Sequence, residues 1–324
     1  MVSSHYLSKA GFLVTLYEKK KIGGRISTYE NEKYSFDVGA QYFTIRNKEF
    51  SEFLTEFKEK NIIKEWKSNN YSFEKENKFL KKNEENIKRY VGVPNQYSII
   101  NQIEKNLTKN ISIKKKEILK VEFGEDRKWR VYSNESEEIF DFVIFAGLAP
   151  EIIRNISKDC FEQYEEKLSL VEISACECLM ISFKTSLNIE LDSCFINNSD
   201  KISWISKENS KPNRSSNKND HECWVIHSTK NFKSKNPIIE LYDEFIRILT
   251  IFDDKIKFEP IFKEIYSWEY AAVPKSLNEG YFFDTSKNFG ICGDWCSGSR
   301  VEGAFISAYQ LSDHLIKNHP INNI

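Results

Sequence analysis

Three groups of residues have the types and spacing to hold a nucleotide-like cofactor. The richest lies near the C-terminus, where Gly293-Asp294-Trp295 leads through Gly298-Ser299-Arg300 into Val301-Glu302-Gly303-Ala304. Glycines let a backbone approach a ligand closely, and a carboxylate such as Asp294 can accept from hydroxyls. A helix starting at Val301 would offer free N–H groups and a favourable dipole. The second group is Gly23-Gly24-Arg25, whose glycines suit close approach to a pyrophosphate while the guanidinium supplies charge. It follows Glu18, an acid at the end of an apolar run over residues 12–17. In dinucleotide-binding folds an acid closing the second strand accepts from the adenosine ribose. The third group, Gly39-Ala40-Gln41-Tyr42, sets small residues where a flat ring could lie against backbone. Taken alone, Gly293-Asp294 is equally compatible with a tight strand-to-helix turn.

The elements needed to position these groups are legible in the patterning. Residues 12–17 are apolar and β-branched, as in a buried parallel strand. Residues 289–292 read as a short strand that feeds the Gly293-Asp294 turn and an amphipathic helix over about 301–316. Residues 48–61 carry Phe50, Phe53, Leu54 and Phe57 at helical spacing, a core-facing stripe. Strands are expected around 63–66 and 71–73, then a lysine- and asparagine-rich turn region. Residues 177–183 and 223–227 read as strands of an antiparallel sheet. Residues 197–220 are polar and read as a surface loop, and residues 237–252 as an amphipathic helix.

In this order and spacing the motifs resemble the flavin-dependent amine-oxidase superfamily, and their wording is closest to its renalase-like branch of bacterial FAD-dependent oxidoreductases. Tyr90-Val91-Gly92-Val93-Pro94, Val143-Ile144-Phe145-Ala146, Trp224-Val225-Ile226-His227 and Trp268-Glu269-Tyr270-Ala271 extend the likeness over nearly the whole chain. Each motif is weakly specific, and the ordered set is much more so. The resemblance implies an α/β chain of the NAD(P)-binding Rossmann type. A discontinuous FAD-binding domain is expected from residues 1–45, 92–155 and 270–324, with its first strand missing. A second, α+β substrate domain on an antiparallel sheet is expected from residues 46–91 and 156–269.

It also implies site roles. Non-covalent FAD would meet Glu18, Gly23, Gly24, Arg25, Gly39, Ala40, Gln41, Gly293, Asp294, Val301, Glu302, Gly303 and Ala304, with Ile118 near the adenine. Arg300, His227 and Tyr42 would face the substrate. No catalytic triad is evident, and none is required when a flavin accepts hydride directly. Arg300 stands where amine oxidases commonly carry an aromatic that cages an amine. A guanidinium repels a protonated amine and attracts phosphate or carboxylate, unless Glu302 neutralises it. The activity implied is oxidation of a small reduced substrate, such as a dihydronicotinamide isomer, with dioxygen as acceptor. An amine oxidase or desaturase, or a non-enzymatic flavin-less remnant, stay open as alternatives.

The remnant is considered because one part of the pattern is absent. A Rossmann-type chain begins with a strand and a Gly-x-Gly-x-x-Gly turn, whereas residues 1–11 already read as the helix that follows. Roughly a dozen residues would be missing. The expectation is that Met1 is not the ancestral start, and that the missing strand lay between residues 12–17 and 289–292. Weak FAD binding is then expected of the chain as it stands.

Composition narrows the remaining classes. The 324 residues carry 47 Lys and Arg against 48 Asp and Glu, a formal net charge of −1, which argues against nucleic acid and anionic membrane surfaces as partners. No apolar run reaches the ~20 residues of a membrane span, and no charged-then-apolar leader opens the chain. Seven cysteines without zinc-site spacing read as reduced thiols of a cytoplasmic protein with no bound metal.

Overall fold

The computed structural model describes residues 1–76, 79–83, 87–214, 221–230, 232–255 and 257–321. The chain opens with helix α1 (Val2–Lys9), which ends at Ala10 and turns through Gly11 at φ 95°. A side chain at Gly11 would be strained in that region, so glycine sets the exit. Strand β1 (Val14–Tyr17) follows and pairs in parallel with β2 (Ile111–Lys114). Farther along, β3 (Val143–Phe145) runs parallel to β4 (Phe289–Ile291), whose other edge is covered by antiparallel Phe282–Asp284. Helix α2 (Val301–Asn318) brings Leu311 and Leu315 onto Leu7 and Cys292.

The second body is a seven-stranded sheet in the order Pro260–Ala272, Ser174–Phe183, Glu222–Ser228, Ile202–Lys207, Ser193–Asn197, Asn70–Glu74, Phe79–Lys82. All its neighbours are antiparallel except Ser193–Asn197 with Asn70–Glu74. Successive side chains on a strand point to opposite faces. Leu179, Ile181 and Phe183 accordingly join Leu241, Phe245 and Ile248 of helix Pro237–Leu249 in one core. Cys178 and Met180 pack with Tyr34, Phe36 and Val38 on the other. Burial on both faces explains why this strand reads as a continuous apolar run. The molecule is thus mixed α/β, a Rossmann-like part beside a second part built on a largely antiparallel sheet. Among the described residues, no helix is long and apolar enough to cross a membrane.

Several local expectations need correction. The stretch expected as one helix over 48–61 is two, Lys48–Phe53 and Thr55–Glu59, meeting at Leu54, and its stripe of Phe50, Leu54 and Phe57 packs on Ile99, Ile100 and Ile103. The turn region after residue 73 contains a strand, Phe79–Lys82, held by Asn70–Glu74. Residues 197–220, expected as a surface loop, include strand Ile202–Lys207 and a buried turn; residues 215–220 lie outside the described residues. The polar letters misled because several of them are buried in mutual pairs. Strand β1 is half-buried rather than buried, and Leu13 just before it is 86% exposed.

The parallel strands form two pieces. β1 and β3 each have one edge without a ladder partner among the described residues, and both line the same cavity. The expected flank of this gap was residues 289–292. Instead β4 has a partner on either side, and β3 is the strand that borders the gap. The Val14 and Glu18 N–H groups donate toward the β2 side, so by alternation those of Thr15 and Tyr17 point into the gap. The Val143 N–H donates to Asn288, which turns that of Ile144 the same way. Hydrogen exchange read by NMR should therefore show Thr15, Tyr17 and Ile144 exchanging much faster than Val14 and Val143. Equal protection on the two sets would mean that the gap is closed in solution.

Candidate functional site

The Rossmann-like part and the large sheet enclose a cavity of about 2850 Å³, well beyond the ~300–1,000 Å³ of an ordinary small-molecule pocket. Most residues expected at a cofactor or substrate site line it. Glu18, Gly23, Gly24 and Arg25 come from the segment after β1, and Gly39, Ala40 and Tyr42 from the segment after strand Ser35–Asp37. Ile118, His227, Gly293, Asp294, Arg300, Val301 and Ala304 complete the set. Gln41, Glu302 and Gly303 do not line it, and each has a different task.

Gln41 is buried beneath the wall. Its amide donates to the Asp37 and Gly39 carbonyls, while its Oε1 accepts from Ser206 at 2.7 Å and from Lys211 at 3.2 Å. Glu302, 3% exposed, accepts at Oε1 from the Arg46 and Asn47 backbone N–H groups at 2.6 and 2.7 Å. Its Oε1 is therefore occupied by backbone, and no ion pair joins Glu302 to Arg300 among the described residues. Gly303 is required by packing, since a Cβ there would come within 1.8 Å of the Gly298 carbonyl oxygen. Gly39 is similar, with the Arg25 carbonyl oxygen 2.0 Å from a Cβ. At Gly24, φ 52°, a Cβ would meet nothing within 4 Å, so this glycine leaves open space at the cavity wall.

Charge is arranged in two layers. At the wall, Arg25 Nη2 donates to Asp294 Oδ1 at 2.6 Å and Nη1 to the Ala271 carbonyl at 3.3 Å. The two expected cofactor groups thus hold each other across 269 positions of sequence. Glu18 accepts from the Lys20 N–H at 2.9 Å. Behind the wall lies a buried network absent from the sequence-based site, formed by Asp37, Glu208, Lys211 and Arg214. Lys211 Nζ lies 3.3 Å from Asp37 Oδ2 and also pairs with Glu208, while Arg214 pairs with Asp37 and donates to the Pro94 and Gly92 carbonyls. Burial pushes the Glu208 carboxyl up, against the pull of Lys211. The one clue in the sequence was the ionisable spacing of Glu208, Lys211 and Arg214 inside a polar stretch, and periodicity does not separate that from a solvated turn.

His227, next to last in its strand, lines the cavity, and its Nε2 donates to the Val38 carbonyl at 3.2 Å, which Trp268 Nε1 also reaches at 2.9 Å. Removal from water lowers its pKa to about 4, and the Lys211 charge acts the same way, against the Val38 hydrogen bond. The ring is neutral at pH 7, with Nδ1 as its free acceptor. Cys292 is buried, 3.8 Å from Ser3 Oγ, and its thiol is pushed up by burial, so it packs as an apolar side chain.

Comparison with known proteins places this geometry in context. A family model described as an NAD(P)-binding Rossmann-like domain matches residues 1–57. Among solved structures, a provisionally assigned protoporphyrinogen oxidase from Exiguobacterium is 12% identical with a TM-score of 0.77, covering 98% of this chain and 96% of that one. A redesigned putrescine oxidase (10% identity, TM-score 0.71) and cyclohexylamine oxidase from Brevibacterium oxydans (7%, TM-score 0.69) each cover 98% of this chain and 96% of their own. At such identities the likeness establishes the fold, a Rossmann-like part joined to a second sheet.

The neutral state of His227 makes stability depend on pH. Its folded pKa lies below the ~6.5 of an unfolded histidine, so between those values the unfolded chain binds more protons and stability falls as pH drops. Urea unfolding at pH 7 and pH 4.5 should show a smaller acid-induced loss for His227→Gln than for the parent protein. The same loss in both would remove His227 as a source of the acid sensitivity.

Proposed function

We propose that the chain is an FAD-dependent oxidoreductase of the renalase-like type, acting on a small reduced substrate that carries an anionic group. The observation that carries this reading is the convergence of Glu18, the open Gly24 backbone and the first turn of α2 on one cavity bounded by a Rossmann-like part. The donor set fits the group: a carboxylate for ribose hydroxyls, a glycine without steric cover for a pyrophosphate, and a helix N-terminus for the electron-rich edge of a flavin ring. Bound non-covalently, FAD would supply two-electron chemistry, accepting hydride from the substrate and passing electrons to dioxygen.

The protein's own residues position and tune. Arg25 and Asp294, already paired, would meet the phosphate and ribityl region as one fixed unit. Val301 and Ala304, on the first turn of α2, would lie beside the ring with the helix dipole favouring negative charge there. Gly39 and Ala40 present backbone on the other wall, held by the network below. Neutral His227 offers a hydrogen-bond acceptor without adding charge, and Tyr42 borders the substrate space.

Arg300 separates this reading from an amine oxidase or desaturase. It lines the cavity, is exposed, and makes no ion pair with the described residues, so its charge is available to an anionic ligand and opposes a protonated amine. A protein that no longer retains flavin is favoured by one observation only, the gap between β1 and β3. In steady-state assays with phosphate-bearing dihydronicotinamides, Arg300→Ala should raise KM by ~10–100-fold, the worth of a charged hydrogen bond, while the flavin absorbance spectrum stays unchanged. Loss of flavin or of folding in that variant would make Arg300 structural and remove the basis for an anionic substrate.

A further inference from the structure

We infer that Arg46 is a second anion-binding residue, and that it and Arg300 together hold a phosphate or carboxylate group of the substrate at the rim of the cavity. The inference rests on the functional reading above and extends it to a residue with no motif of its own.

The cavity wall carries four arginines, and their surroundings divide them into two pairs. Arg25 is committed to Asp294 and the Ala271 carbonyl, and Arg154 donates to the Tyr270 hydroxyl at 3.1 Å. The guanidinium groups of Arg46 and Arg300 make no hydrogen bond or ion pair with any described residue, and both residues are exposed. Glu302 makes no ion pair with either guanidinium, and its Oε1 accepts from the Arg46 and Asn47 backbone N–H groups. That same carboxylate fastens residues 46–47 to the first turn of α2, two positions after Arg300. It therefore ties together the backbone segments that carry the two arginines, which are more than 250 positions apart in sequence and line the same cavity.

Two unpaired forked donors carried on joined segments would suit the oxygens of a phosphate or carboxylate, which can accept from both in parallel. Phe43, Val301 and Phe305, which pack in one apolar cluster, also line the cavity. A ligand matching both features has a flat or apolar body and a terminal anionic group. The two unpaired guanidinium groups disfavour a simple cationic amine.

The test is calorimetric titration of the whole chain with inorganic phosphate, with and without excess FAD, using the parent protein, Arg46→Gln, Arg300→Gln and Arg46→Lys. Phosphate should bind the parent whether or not FAD is present. Each glutamine variant should weaken it about tenfold or more, and lysine at position 46 should restore it only in part, because the forked geometry is lost. Phosphate affinity unchanged in Arg46→Gln would overturn the role of Arg46, and affinity unchanged in both glutamine variants would overturn the shared site. Thermal melts within a few degrees of the parent separate a lost ligand contact from a damaged fold. Failure of FAD to bind the parent, with phosphate binding intact, would count against the flavin reading and leave the anion site standing.

Discussion

The geometry of the cavity depends on four charges kept out of water. Asp37 accepts from Thr28 Oγ1 at 2.8 Å, from the Gln96 N–H at 2.9 Å and from Lys211 and Arg214, while its own N–H donates to Glu208. Lys211 and Asp37 have fully buried side chains. Breaking one member of such a set leaves an uncompensated buried charge, which costs ~3–5 kcal/mol, whereas apolar packing of the same volume carries no such penalty. The network therefore specifies position more than it adds stability. It binds strand Ser35–Asp37, the Gly92–Gln96 turn and the end of strand Ile202–Lys207 into one unit. Val38, Gly39 and Ala40 are the wall that this unit supports.

A second constraint is close approach of backbone to backbone. Gly39 against the Arg25 carbonyl and Gly303 against the Gly298 carbonyl leave no space for a methyl group. These contacts draw the Arg25 segment onto the Ala40 segment and the Gly298 turn onto α2, so Arg25 can reach Asp294. The glycines that look like ligand contacts in the sequence thus fall into two kinds. Gly24 leaves open space, while Gly39 and Gly303 serve the scaffold that makes the opening.

Much of this was legible from sequence, for identifiable reasons. Glu18 closes an apolar strand, and Gly293-Asp294 precedes an 18-residue helix whose apolar positions recur at helical spacing, so both ends of the site followed from local patterning. The strands over Ser174–Phe183 and Glu222–Ser228 were visible because burial on both faces leaves an apolar run. What local patterning does not encode is pairing between distant polar residues. Glu208, Lys211 and Arg214 look like a solvated turn until Asp37 is brought to them from more than 170 positions away. Arg46 is equally silent, because its placement comes from a backbone hydrogen bond to Glu302. The neighbour of the gap was misassigned for a related reason: strand order is a long-range property, and β3 and β4 have similar apolar letters.

Among the described residues, β1 and β3 leave unpaired edges at one wall of the cavity, which Glu18, Gly24, the Arg25–Asp294 pair and the N-terminus of α2 also line; on the proposed reading these residues would hold a dinucleotide. The most direct measurement is a titration of the protein with FAD, followed by quenching of flavin fluorescence and by absorbance, with riboflavin as comparison. The account predicts saturable one-to-one binding of FAD, much weaker binding of riboflavin, and a loss of FAD affinity on the order of tenfold in Glu18→Ala, the worth of one charged hydrogen bond. No saturable binding of FAD, or equal affinity for FAD and riboflavin, would contradict it.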